Sequence, residues 1–135
     1  MKLFKSLTLI GLMTGLMAVF AAQMLFAQDP VKVASKNYKV IFENDRVRVL
    51  DIFYKPGEKA VSHSHPASLL YYLNDFKAKF TFPDGKTADI VGKKGVAEWH
   101  EPFTHAVENT GTTDIHLIAV EFKEPAKKEE PPTKK

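Results

Sequence analysis

Two histidines, His63 and His65, stand one residue apart in "VSHSHPASLLYYL", residues 61–73, and a third, His105, opens the run "HAVEN" forty residues further on. On a strand, residues i and i+2 point to the same face, ~6.6–6.8 Å apart along the backbone. Two imidazoles so placed can converge on one ion at ~2.0–2.1 Å if the ion is zinc-like. A His-x-His pair alone fits a pair of surface or loop histidines beside Pro66 as well as it fits a metal site. His105 makes the metal reading credible, because His105, Val107 and Asn109 share one strand face in a period of two. Imidazole suits Zn, Cu, Fe and Ni; Mg and Ca prefer oxygen ligands.

Other side chains compete for roles around this trio. His100 lies five residues before His105 and reads either as a rim histidine on a turn or as an additional ligand. Tyr72 and His100 are candidate proton donors. Glu98, Glu101 and Glu108 are candidate acids, with Glu108 out of phase with His105 and so facing away from it. His116 alternates with Ile115 and Leu117 and reads as a satisfied histidine of the sheet. Tyr71, Tyr72, Phe80, Trp99 and Phe103 read as core, with lining of a ligand cavity as the alternative. The chain has no cysteine, which excludes disulfides, thiolate metal ligands and a cysteine nucleophile.

The elements that must position these residues read as β throughout. "NYKVIFEN" places Tyr38, Val40 and Phe42 on one face. "RVRVLDIFY" alternates at Val47 and Val49, then changes phase at Leu50, Ile52 and Tyr54, which a bulge or burial of both faces explains. "KAKFTF" alternates Ala78, Phe80 and Phe82 against Lys77, Lys79 and Thr81, and Pro83-Asp84-Gly85 is set for a hairpin. Turns around Gly57, Gly92–Gly95 and Gly111 separate further short strands. No segment after residue 28 shows a 3.6-residue period. Eight or nine short strands in one domain of ~90 residues predict an all-β sandwich or small barrel, whose interior can hold one ligand.

The two ends differ from this middle. "MKLFKSLTLIGLMTGLMAVFAAQMLFA" has two lysines, an apolar run and small residues before a polar, proline-containing stretch. That is the layout of a signal peptide over residues 1–27, with cleavage after Ala27 or, as alternatives, after Ala21 or Ala22. An uncleaved anchor is the competing reading, since ~20 apolar residues can span a bilayer. Cleavage would leave a periplasmic or secreted protein with no stable membrane anchor. The Lys/Glu/Pro-rich segment 124–135 has almost nothing to bury and is expected to be disordered. The formal charge of +3 comes from these ends, because residues 28–122 carry 12 basic and 13 acidic side chains. A basic face for nucleic acid is not indicated.

On these residues the chain resembles the cupin superfamily. "GEKAVSHSH" is similar to the opening of its first motif, a glycine, five residues, then His63-x-His65. "HAVEN" is similar to the end of its second motif, with Gly95 near that motif's opening glycine. The pieces "VRVLDI", "KPGEK", "HAVENTG" and "AVEFK" resemble small single-domain bacterial cupins, many of unknown activity, and the likeness covers residues 40–122. It implies a jelly-roll β-barrel, a divalent transition metal (Zn, Fe, Ni, Cu or Mn) inside it held by His63, His65 and His105, and often a homodimer.

The departures from the pattern are equally specific. Aligning "LLYYLND" on the family's usual run puts Leu69 where the family's ligand glutamate stands, and Phe76 replaces the closing glycine. In the second motif His100 stands for a proline and Pro102 for a glycine. Without the carboxylate, three neutral imidazoles leave a divalent ion at +2 and leave coordination positions open. Such an ion attracts a small anionic ligand. The expected function is a metal-dependent oxidoreductase or isomerase acting on a small anionic metabolite. The alternative is a non-catalytic module that binds metal or a small ligand at a degenerate site.

Overall fold

The computed structural model describes residues 28–124; the expected signal peptide and residues 125–135 of the expected tail lie outside them. Among the described residues no helix is long and apolar enough to cross a membrane. The described residues start with a one-turn helix, α1 (Pro30–Val33). A single turn is too short to leave a helical period in the sequence, but its capping chemistry is visible there. Asp29 caps it by accepting a hydrogen bond from the Val31 amide, and Pro30 occupies the start, where no amide proton is needed.

Nine strands follow: β1 (Tyr38–Glu43), β2 (Val47–Tyr54), β3 (Lys59–His65), β4 (Ser68–Tyr72), β5 (Phe76–Thr81), β6 (Thr87–Gly92), β7 (Ala97–His100), β8 (Phe103–Asn109) and β9 (Ile115–Phe122). They form two antiparallel sheets, ordered β1-β2-β9-β4-β7 and β3-β8-β5-β6. The chain passes repeatedly from one sheet to the other, as in a jelly roll. The inner faces meet over Leu50, Ile52 and Tyr54 of β2, Leu117 and Ala119 of β9, Tyr72 of β4, Phe76 and Ala78 of β5, and Val107 of β8.

The phase change in "RVRVLDIFY" is not a bulge in that strand. β2 runs in unbroken register with β9 from Val47–Phe122 to Tyr54–Ile115. Leu50, Ile52 and Tyr54 point into the core, while Val47 and Val49 lie on the half-covered outer face. The bulge falls in the partner, between Val40 and Phe42 of β1. It corrects one expectation: Tyr38 and Val40 face inward, but Phe42 is turned out and is 54% exposed.

Phe42 thereby joins an outer-face row that crosses the whole five-stranded sheet: Phe42 beside Val49, Val49 beside Val120, Val120 beside Leu69, and Leu69 beside Trp99. Tyr71 lies on the same outer face, so Tyr71 and Trp99 are exposed there rather than core or cavity lining.

In the second sheet Phe76 pairs with Gly92 across β5 and β6. A Cβ at Gly92 would stand 2.0 Å from the Phe76 ring, so the ring lies over the glycine. The bulky residue in place of the first motif's closing glycine is thus accommodated by a glycine on the neighbouring strand.

Candidate metal centre

His63 and His65 come from β3 and His105 from β8, and His63 sits directly across from His105 in the ladder. A bulge between Ala60 and His63 makes this placement work. Ala60 and His63 are an odd number of residues apart, yet both are buried, because Val61 and Ser62 are both turned out. The bulge also places the Val61 carbonyl 2.7 Å from His63 Nδ1. All three histidines are buried, at 0%, 7% and 3% exposure, and one nitrogen from each lies within 4.8 Å of the others.

Two of the three rings have their orientation fixed from behind. His63 Nδ1–H donates to the Val61 carbonyl, which leaves Nε2 facing the cluster. His65 Nδ1–H donates to Glu121 Oε1 at 2.7 Å, which leaves its Nε2 free in the same way. The other oxygen of Glu121 accepts from Arg48 at 2.7 Å, and Arg48 reaches on to Asp29 Oδ2 at 3.0 Å. A hydrogen bond to the distal nitrogen sets the tautomer and aim of a metal-ligating histidine. His105 differs: neither of its ring nitrogens has a hydrogen-bond partner among the described residues. It is packed between Phe80 and Phe103, with ring centroids at 4.1 and 4.6 Å.

Burial in this apolar setting disfavours the charged imidazolium. It holds His63 down at about 4 and His105 at about 2, with the neighbouring histidines lowering both further. Both are therefore neutral at physiological pH, the form that binds a metal. A buried, unpartnered imidazole costs stability unless something satisfies it. Together with two neighbours whose free nitrogens converge on it, His105 fits a divalent ion that favours nitrogen ligands.

Two residues absent from the expected site belong to it. Tyr38, on β1, lies with its hydroxyl 2.8 Å from His63 Nε2, the nitrogen left free for an ion. Glu121, on β9, is 1% exposed. Period-two alternation from Ile115 through Leu117 and Ala119 already puts Glu121 on the inner face, and Tyr38 starts the inward phase of β1. What the sequence does not carry is their proximity to the histidines, which only the pairing of distant strands creates.

The remaining candidates separate from the cluster. Leu69 points outward and is 38% exposed, so it does not occupy the ligand-glutamate position. With four residues rather than three after His65, that inward position is Leu70, which lines the interior. The carboxylate is absent either way. Tyr72 is buried but its hydroxyl donates to Glu98 Oε2 at 2.6 Å, and the same oxygen lies 3.6 Å from His100 Nε2. His100 lines the cavity without joining the three-histidine group. Glu101 accepts from the Trp99 indole on the surface, Glu108 pairs outward with Lys59, and His116 pairs with Asp51 at 2.9 Å. The cavity beside the histidines measures about 50 Å³ and is walled mainly by Tyr38, Leu70, Tyr72, Phe80 and Phe103. A water needs ~10–15 Å³ by the same measure, so the space suits a ligand of only a few heavy atoms.

No protein-family model matches the chain, and no curated protein matches it. Solved structures do. A cupin domain from Bordetella pertussis Tohama I superposes with a TM-score of 0.60 at 22% identity, over 64% of this chain and 92% of that one. A RmlC-like cupin family protein with a double-stranded β-helix fold, from Methanocaldococcus jannaschii, gives 0.52 at 15% identity, over 67% and 82%. An uncharacterized conserved protein with a double-stranded β-helix domain, from Klebsiella pneumoniae, gives 0.50 at 21%, over 62% and 72%. The nine strands of the described residues, their two-sheet order and these likenesses together give this chain the cupin, or double-stranded β-helix, fold.

Proposed function

We propose that the protein holds a divalent transition metal on His63, His65 and His105 and binds a small anionic molecule beside it, as a metal-dependent oxidoreductase or isomerase. The observation that carries this reading is His105: buried, with both ring nitrogens unpartnered, and within 4.8 Å of ligand nitrogens on His63 and His65. A bound divalent ion would supply Lewis-acid polarisation of a carbonyl or enolate oxygen. The Val61 carbonyl and Glu121 aim the rings of His63 and His65. Phe80, Phe103 and Leu70 line the adjoining cavity with apolar surface.

A second reading, binding without turnover, is favoured by the engagement of the candidate proton donor: the Tyr72 hydroxyl is held by Glu98. Export to a periplasm or to the outside belongs to the proposal and rests on residues 1–27. So does a homodimer, supported by the apolar row across the outer face of the five-stranded sheet; patches of that kind mark interaction surfaces.

Elemental analysis of protein purified from its own compartment tests the metal site. We expect about one ion per chain, lost in a folded His63→Ala, His105→Ala double variant; equal metal content in both proteins would overturn the three-histidine assignment. Oxygen-uptake and carbonyl-isomerisation screens on the loaded protein then separate turnover from binding. Sedimentation of a Leu69→Glu, Trp99→Glu variant tests the dimer.

A further inference from the structure

The hydroxyl of Tyr38 has one hydrogen-bond partner among the described residues, His63 Nε2 at 2.8 Å. That nitrogen is the one His63 can offer to an ion, because its Nδ1 is tied to the Val61 carbonyl. Tyr38 and a metal therefore meet at the same lone pair. If the ion displaced Tyr38, a hydroxyl on a residue only 4% exposed would lose its hydrogen bond to His63. The phenol is closely held, with its ring edge-on to those of His63 at 5.0 Å and Tyr54 at 5.9 Å.

Displacement is not the only outcome. Two donors on one tetrahedral ion, each at ~2.0–2.1 Å, stand ~3.3–3.4 Å apart. The present separation of 2.8 Å is thus only about half an ångström short of joint coordination.

We propose that Tyr38 Oη is the fourth protein ligand, so that the ion takes the place of the proton now shared between Tyr38 and His63. The inference rests on the three-histidine reading and deepens it. The phenolic proton leaves to solvent buffer as the ion arrives, no electron is transferred, and the bond formed is metal–oxygen. Two further observations agree with this. Leu70 leaves the inward position of β4 without a carboxylate, and a phenolate from β1 restores the missing negative charge, bringing a divalent site from +2 to +1. The ring of Tyr54, whose buried hydroxyl has no partner among the described residues, packs edge-on against that of Tyr38. An anionic ligand would then meet an ion with one open position fewer.

Cu(II) and Fe(III) report a bound phenolate through a charge-transfer band in the visible. The test loads wild type, Tyr38→Phe and Tyr72→Phe with each ion, measures stoichiometry, and records absorption and resonance Raman spectra. The expected result is a band with tyrosinate ring modes in wild type and Tyr72→Phe, absent from Tyr38→Phe although that variant still binds copper through its histidines. If Tyr38→Phe folds poorly, a Tyr54→Phe variant that keeps the band, as Tyr72→Phe is expected to, leaves Tyr38 as its source. Metal bound at full stoichiometry with no such band in wild type would overturn the role of Tyr38 and leave the three-histidine site standing. Failure of wild type to bind either ion would overturn the three-histidine reading, and this proposal with it.

Discussion

The carboxylate of Glu121 divides its two oxygens, one to His65 and one to Arg48, and is buried to 1% exposure. Glu121→Gln keeps the shape but removes the charge that aligns the His65 ring; outer-shell changes of this sort typically weaken metal binding ~10–100-fold. A competition titration against a chromophoric zinc chelator checks it, and an unchanged affinity would mean that His65 needs no such support. The depressed basicity of His63 and His105 makes a second prediction, for metal-free protein. Their folded values of about 4 and about 2 lie below the unfolded value of ~6.5, so below that pH the unfolded chain binds more protons. Stability from this source is complete above pH ~6.5 and is lost as pH falls, toward 4 for His63 and toward 2 for His105. Each histidine contributes a slope of up to ~1.4 kcal/mol per pH unit. Urea midpoints that stay level between about pH 7 and 5 would contradict it. At this scale His63 and His65 are legible in the sequence because strand alternation is local, and His105 because "HAVEN" resembles the second cupin motif. Tyr38 and Glu121 are not, because their partners lie 25 and 56 residues away.

Alternation places most strand positions, and the misplacements of Phe42, Leu69, Tyr71 and Trp99 arise where it breaks or where both faces are apolar. Alternation puts Phe42 inward, because nothing in "KVIFEN" announces the extra residue that the β1 bulge absorbs. The motif alignment puts Leu69 at the ligand position, and "SLLYYL" offers nothing to correct it: the outer face of β4 packs its own row, so hydrophobicity cannot tell Leu69 from Leu70. The bulge in β3 had no sequence signal either, yet it sets both the inward turn of His63 and the carbonyl that holds it. An element-scale test lies at Gly92. A methyl there meets the Phe76 ring at 2.0 Å, so Gly92→Ala should destabilise the protein by about 1–3 kcal/mol through overpacking. Phe76→Leu should cost stability alone but recover part of the loss in the double variant. Additive losses in a double-mutant cycle would show that the two positions do not share that space.

Across the molecule, the all-β class and the strand count follow from patterning and the enclosure of the histidines from the family resemblance, whereas the order of strands within each sheet depends on pairings that no local segment specifies. One such pairing joins the start of the described chain to the site. The Ser64 amide donates to the Gln28 carbonyl at 2.9 Å, Pro30 is fully buried, and Asp29 reaches the His65 ring through Arg48 and Glu121. Residues 28–30 thus rest on the back of one ligand, beside the position where the signal would be cut. Thermodynamic linkage makes this contact reciprocal: whatever affinity an ion gains from a seated N-terminal segment, the segment gains in seating from the ion. Added zinc should therefore slow amide exchange at Val31–Ala34 as well as at the histidine strands, and Arg48→Ala should uncouple the two. Residues 28–34 would then act as a thermodynamic reporter of whether the barrel is loaded.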